Sequence, residues 1–440
     1  MSVRVLTSLL AATLALLTLG CASPPEAAPG AFSIAMIPDT QNYVDYTHQR
    51  DAGFAFDASA LFIEQMRWLS QQRPEDGGNL VFVAAVGDVW QHQSKAGDPA
   101  HEARGIHRVD NPIFQDHFAP TPKVHSVEMP AAAAGYRLLH EAGIPFGVAP
   151  GNHDYDSMWT AASHPPNLSK PRDEITMADV GVLHVGGLDN FRSVFGAQTD
   201  FFRDQPWYVA SFRGGANSAQ RFHAGGYDFL HVAIEMQADD EVIAWVESVL
   251  AAHPGLPTIV STHDYLSGEG ERVANAVIDL DRVDPDHHNS AEELWQKLLA
   301  PNDQIFMLLC GHQHGQALRV DRNEAGHEVY QILADYQDRG QAGIDAGQPL
   351  DPFLGGPVGI GDGWLRLLEF HLAGGAPRVE VRTWSTHYEV LSSDLATYAA
   401  WYRAHEQPKM TDAEFLAADA YEIPLPDFRA RFGAPAQRAK

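Results

Sequence analysis

Five apolar runs in this chain end on residues able to hold a metal ion or handle a proton. The tetrapeptide Gly151-Asn152-His153-Asp154 follows Pro145-Phe146-Gly147-Val148-Ala149-Pro150. A glycine lets the backbone turn sharply and approach a ligand closely. An asparagine amide oxygen can bind a hard or borderline cation, and the adjacent imidazole can reach whatever that cation activates. Standing alone, the tetrapeptide also reads as a polar turn capping a strand. Four further runs make the chemical reading the stronger one. Run 32–37 leads to Asp39-Thr40-Gln41, run 80–86 to Gly87-Asp88, run 258–262 to His263, and run 305–310 to Gly311-His312-Gln313-His314. Together they supply the carboxylates of Asp39 and Asp88, the amides of Gln41 and Asn152, and the imidazoles of His263, His312 and His314. That set can hold two divalent ions and leave positions open for water.

Each run reads as a buried strand whose carboxyl end opens on a loop, where open α/β sheets keep their ligands. Helices are expected between them. One covers 58–72 on Leu61, Phe62, Met66 and Leu69, with Asp57 or Ser59 as cap. Others cover 130–142 and 239–252, and a further strand covers 227–234. Three loop insertions interrupt this frame, at about 90–129, 155–226 and 265–289. The first carries His92, His101, His107, His117 and His125 at irregular spacing. These read as surface histidines, with His92 the exception because it lies just past Asp88. In the third, His287-His288 reads as exposed. The second, rich in glycine and aromatics, is expected to fold over the site and shape its pocket, or else to pack as a surface excursion. Glu235, at the end of run 227–234, reads as structural. Downstream, 328–334, 364–371 and 378–384 read as strands, the last two a hairpin.

In order and residue type this set resembles the calcineurin-like metallophosphoesterase superfamily, whose blocks run D-x-H, G-D, G-N-H-D/E, H and G-H-x-H. Four blocks match as they stand, the first reads D-x-Q, and the frame spans Asp39 to His314. The resemblance implies an α/β (α+β four-layer) fold, an αββα sandwich of two mixed sheets flanked by helices, with the strands after His314 completing the second sheet. It implies that Asp39, Gln41, Asp88 and His314 hold one metal and Asp88, Asn152, His263 and His312 the other, Asp88 bridging. It further implies a phosphatase or phosphodiesterase with manganese, iron or zinc, in which a water shared between the ions attacks phosphorus. His153 would donate a hydrogen bond or proton to the ester oxygen, and Asp154 would orient its ring.

Gln41 is the departure. An amide oxygen is a poorer donor than an imidazole, so the first ion is expected to bind more weakly, to shift toward manganese, magnesium or iron, or to lack this ligand. The alternative is that Gln41 faces solvent. The rival functional reading is a lipoprotein using the same fold as a binding or scaffold module, its site crippled at Gln41. Tyr155, Tyr265 and Tyr336 are candidates for stacking a nucleoside or for plain packing. The stretches Asp335-Tyr336-Gln337 and 361–366 resemble segments of bacterial secreted members, with no chemistry assigned.

The chain opens with a short basic head, an uncharged apolar run over 5–19, then Gly20-Cys21-Ala22-Ser23. This reads as a signal peptide and lipobox over 1–21, with plain cleavage or an uncleaved anchor as alternatives, followed by a flexible tether over 22–31. The catalytic domain is expected over 32–397 and a C-terminal helical or loop extension over 398–440. An extracytoplasmic protein, lipid-anchored to the bacterial cell envelope, follows from that reading. The formal charge of -27 argues against nucleic acid or an acidic membrane face as the main partner and leaves a small phosphate ester escorted by cations. With Cys21 acylated or removed, Cys310 has no intramolecular partner and is expected to be inert packing.

Overall fold

The computed structural model describes residues 30–114, 119–171, 174–350 and 356–434. The expected signal peptide and lipobox, nearly all of the tether, and His117 lie outside those residues.

Phe32–Ile37 is buried along its whole length, so both of its faces must be covered. Leu80–Ala85 runs parallel beside it and Phe146–Val148 parallel beside that. On the other side Trp364–His371 pairs antiparallel, followed outward by Arg378–Ser385, which in turn holds Val390–Leu391 and Tyr421–Pro424. The second large sheet runs in the order Gly315–Arg322, Glu328–Asp335, Ile305–Gly311, Thr258–Asp264, Tyr227–Ala233, Asn217–Ala224, Tyr208–Phe212. From Glu328–Asp335 to Tyr227–Ala233 its strands are parallel.

Successive side chains of a strand point to opposite faces, and the core divides accordingly. Ile34 and Met36 meet Phe229, Phe306 and Ile332 of the second sheet. Ala35 and Ile37 face the other way, toward the helices Ser59–Ser70 and Met129–Glu141. On the far face of the second sheet, Leu230, Val260 and Leu308 pack against Val242, Val246 and Val249 of Asp240–Ala252. The layers are therefore helix, sheet, sheet, helix: a mixed α/β sandwich of the kind the resemblance implies. Asp239 starts the last helix by accepting the Val242 amide at 3.0 Å. Ser59–Ser70 has no side-chain cap; Asp57 accepts the Arg50 amide instead. Cys310 is free and fully buried.

Three expectations change. The hairpin at Trp364–His371 and Arg378–Ser385 extends the first sheet, with Phe32 opposite Phe370, rather than the second. Both sheets need doubly buried strands, so apolar content alone cannot assign one to either. The segment after 398 is not an appendage, because Tyr398, Tyr402, Phe415, Ile423 and Phe428 lie in the core between the sheets. The stretch 155–226 is not one excursion either, since Tyr208–Phe212 and Asn217–Ala224 are strands of the second sheet. Asn217, Ser218 and Gln220 are buried there although polar, which hides the strand from an apolar count.

The rest of that stretch contributes Ser157–Ala161 and Leu183–Gly186, which join Arg108–Val109 of the first insertion in a small third sheet. The Leu183 amide donates to Val277 O at 2.7 Å, so the third insertion is tied to the same structure. Tyr265 and Tyr336 are packing residues: both are buried, their hydroxyls on Gln331 and Asp419 at 3.0 Å. Among the described residues no helix is long and apolar enough to cross a membrane.

Candidate metal centre

Parallel strands of both sheets bring their carboxyl ends to one rim. Asp39, Asp88 and Asn152 follow three neighbouring strands of the first sheet. His263 is the penultimate residue of Thr258–Asp264, and His312 follows the adjacent Ile305–Gly311. Asp88 Oδ1 lies 3.2 Å from His263 Nε2 and accepts the His153 amide at 2.9 Å. Asn152 Oδ1 stands 3.1 Å from the same Nε2, and the His312 amide donates to Asp39 Oδ1 at 3.1 Å. Ligand atoms of Asp88, His263 and His312 all fall within 4.8 Å of one another.

The backbone is bent to achieve this. Asp88 and His312 adopt left-handed φ values of 52° and 70°, costly for residues with a side chain and tolerated where the surroundings impose them. A Cβ on Gly151 would come 2.2 Å from Asp88 Oδ1, and one on Gly87 2.6 Å from His263 Nδ1. The glycines in these two blocks are there because carboxylate and imidazole occupy the space a side chain needs.

Burial and hydrogen bonding test whether cations fit. Asp39 Oδ2, Gln41 Oε1, His312 Nε2 and Asp335 Oδ2 are buried without a hydrogen-bond partner. Each such atom costs on the order of 1–3 kcal/mol when left unpaired, and all four are ligand types for manganese, iron or zinc. His263 is preset for ligation. Its Nδ1 sits 2.8 Å from the Val86 carbonyl, which places the hydrogen on Nδ1 and turns Nε2 toward Asp88 and Asn152.

In the ion-free protein, protons take the part of cations. Burial disfavours the His263 imidazolium, but the Asp88 and Asp39 carboxylates outweigh it and push its pKa up to about 10. Burial would raise Asp88, yet His263 and then His153 hold it well below the usual carboxylate range. Asp39 is pushed well above that range by burial and next by Asp335. His312 is held well below its ordinary value by burial and by the neighbouring His263 charge. The fit is good: the cage demands positive charge and has oxygen and nitrogen donors ready to receive it.

Gln41 does not face solvent. It is buried, and its Nε2 donates to Asp88 Oδ2 at 3.2 Å and to Gln337 Oε1. Gln337 Nε2 in turn lies 2.6 Å from His314 Nε2, so Gln41, Gln337 and His314 close one side of the cage. His314 is the most open member, its side chain 41% exposed, and its Nδ1 is 2.5 Å from Asp338 Oδ2.

His153 lies against the cage, Nε2 3.9 Å from Asp88 Oδ2, with its ring fixed through Nδ1 at 2.5 Å from the Gln91 carbonyl. Orientation of that ring thus falls to Gln91, where the resemblance implied Asp154. The two Asp154 oxygens instead accept the Val89 and Gly151 amides at 2.8 Å, so Asp154 fastens the G-D and G-N-H loops together. Burial, reinforced by Asp88, pushes its pKa up to about 7. His92 is buried against Glu128, Nδ1 to Oε1 2.7 Å. Glu235 is bound by Asn217 at 2.5 Å and Arg213 at 3.2 Å, consistent with the structural role read for it.

Asp335, Gln337 and Asp338 belong to this neighbourhood and were given no role from sequence. Asp335 sits opposite Gly315 in the ladder beside the His312-His314 turn and accepts the Gln337 amide at 2.9 Å. The signal was present: Glu328–Asp335 is a sixth buried strand ending on a carboxylate at the same rim.

No family model matches the chain. Over 258 residues it is 26% identical to an uncharacterized protein, YvnB, of Bacillus subtilis, a match covering 57% of this chain and 15% of that protein. The chain thus spans about 15% of the length of the curated relative it matches. Among solved structures it is similar to a dimetal phosphatase from Danio rerio at 11% identity and a TM-score of 0.37, covering 80% of this chain and 95% of that one. With likeness that remote, the functional reading rests on the side chains themselves.

Proposed function

We propose that this chain is a metal-dependent phosphoric ester hydrolase acting on a small phosphomonoester or phosphodiester. The observation that carries the reading is the set of buried, unpartnered ligand atoms gathered around Asp88. Asp39, Gln41, Asp88 and His314 would hold one ion and Asp88, Asn152, His263 and His312 the other. When bound, the ions supply Lewis acidity toward two phosphoryl oxygens and a water acidified toward neutrality. Gln41 directs its amide nitrogen to Asp88 and Gln337 and leaves Oε1 free, the orientation a ligand needs. That favours a working site over a crippled one.

His153 has its Nδ1 hydrogen on the Gln91 carbonyl, so Nε2 carries a proton only in the imidazolium form. That form can donate to the departing ester oxygen, and the neutral ring left behind can take a proton back. Asp154 keeps the loops bearing Asp88 and His153 in register through two backbone bonds. We retain as part of the proposal export through the N-terminal segment and lipid attachment at Cys21.

Hydrolysis of para-nitrophenyl phosphate and bis-para-nitrophenyl phosphate tests the reading. Activity is expected to vanish on chelation, to return with manganese, iron or zinc, and to fall about 10²–10⁴-fold in His153→Ala while bound metal is kept. Hydrolysis indifferent to both treatments would overturn the mechanism. A metal-loaded protein that cleaves neither ester would leave the scaffold reading.

A further inference from the structure

Away from the rim, the three insertions bring a second set of metal donors together. His101 on the short helix Pro99–Ala103, His184 on Leu183–Gly186 and Asp284 just past Leu280–Val283 each offer a ligand atom, and these lie within 4.8 Å of one another. His184 is fully buried, and neither ring nitrogen has a hydrogen-bond partner. An ordinary core histidine finds partners for both, as His231 does with Gln220 and Ser261 at 2.8 Å.

The other members are arranged as ligands usually are. His101 Nδ1 is held by the Asp98 carboxylate, which fixes the tautomer and leaves Nε2 as the ligating atom. His288 packs with its ring centroid 5.5 Å from that of His184, its Nδ1 3.2 Å from the Gln237 carbonyl. Asp284 is steadied by Arg104 Nη2 at 2.8 Å and His287 Nδ1 at 2.9 Å. The packing is tight, since a Cβ on Gly186 would come 2.6 Å from Asp98 Cβ and 2.9 Å from His101 Nδ1.

We propose that His101, His184 and Asp284 form a separate site for a divalent transition-metal ion, with His288 packed beside it. Imidazoles with one carboxylate are a nitrogen and oxygen set suited to tetrahedral zinc. The ion is a clip: its donors come from the first, second and third insertions, and it adds to the small third sheet, the Leu183–Val277 bond and the Arg104–Asp284 pair that already join them. It also fixes one wall of a cavity of about 290 Å³ lined by His101, Arg104, Tyr155, Arg213 and His288, where Tyr155 directly follows Asp154.

The test is zinc binding by equilibrium dialysis on the full chain, with His101→Ala, His184→Ala and a rim-disabled variant carrying Asp88→Asn and His263→Ala. Wild type is expected to bind one more zinc than either His101→Ala or His184→Ala. The rim-disabled variant keeps one ion, shows the intense visible bands of tetrahedral cobalt when loaded with cobalt, and unfolds at higher temperature with zinc than without. Adding His101→Ala to it abolishes all of these. The site is overturned if the rim-disabled variant binds no zinc, or if His101→Ala carries as many ions as wild type. His101 is partly exposed, so its substitution reads the site even if His184→Ala fails to fold. A failure of the rim centre alone shows differently, as equal zinc content in wild type and the rim-disabled variant.

Discussion

Two clusters of buried charge lie side by side, joined where Asp338 meets His314 and Arg339 meets Gln316, and they are built on opposite principles. Around Arg339 every charge meets its complement. Its guanidinium donates to Glu406 at 2.8 and 3.0 Å, to Gln316 at 2.7 Å and to the Tyr398 hydroxyl. Asp419 accepts from Arg366 at 2.7 Å and from the hydroxyls of Tyr336, Thr383 and Tyr398. Two cations face two carboxylates, and of their polar atoms only Arg366 Nε lacks a partner. At the rim, Asp39, Asp88 and Asp335 face imidazoles, and four ligand atoms have no partner. Burial of charge is common to both and marks neither as functional. Unpaired carboxylate, amide and imidazole atoms gathered at one rim distinguish a donor set suited to cations from a structural ion network.

The strongest way to break that comparison is to remove one carboxylate from each cluster. Asp88→Asn should lower ester hydrolysis by at least about a thousandfold, several kcal/mol of lost electrostatic stabilisation, with the fold retained in circular dichroism. Asp419→Ala should do the reverse. It strands the buried Arg366 guanidinium, while Arg339 keeps Glu406, and should lower stability by about 3–5 kcal/mol in denaturant melts, with activity per folded molecule preserved. If Asp88→Asn unfolded the protein and Asp419→Ala merely slowed it, the two clusters would have been assigned backwards.

Acidity sharpens the contrast. His263 is pushed up to about 10 in the ion-free protein, so at neutral pH an incoming cation must displace its proton. Apparent metal affinity should therefore climb by about tenfold per pH unit for each proton displaced, and level off once pH passes the raised pKa. The same raised pKa adds stability to the ion-free fold. That contribution is complete below the ordinary histidine value and is lost as pH rises through about 10. Metal titrations at several pH values read the first effect and melts of chelated protein the second. A pH-independent affinity would mean that protons do not occupy the cage.

The rim was legible because each of its blocks couples an apolar run to a chemically distinctive end, and the layered α/β class followed from the family resemblance those blocks carry. What stayed hidden has physical reasons. The Trp364–His371 strand is buried on both faces wherever it pairs, so its sheet is set by register with Phe32–Ile37 and not by its own pattern. Asn217–Ala224 carries buried polar residues that satisfy each other, as Gln220 does with Ser218 at 2.8 Å. Asp154 reads as a partner for the adjacent ring, yet the Asn152–Asp154 turn folds its carboxylate back onto the Gly151 amide. His184 carries no local signal at all, because its neighbours arrive from segments far apart in the chain.

The smallest expected effect is at the amide that departs from the common pattern. Gln41 Oε1 is an unpartnered oxygen, while Gln316, the corresponding amide of the paired cluster, gives its oxygen to Arg339 at 2.7 Å. Gln41→His replaces a weak neutral oxygen donor by an imidazole and gives up the bond to Gln337. Affinity of that position should rise by about tenfold and preference should move from manganese toward zinc, read by competition titration. Gln316→His should leave metal binding alone and change only the melting curve, because its oxygen already has a cation. Equal metal affinities in Gln41→His and wild type would place Gln41 outside the coordination sphere and leave the first ion to Asp39, Asp88 and His314.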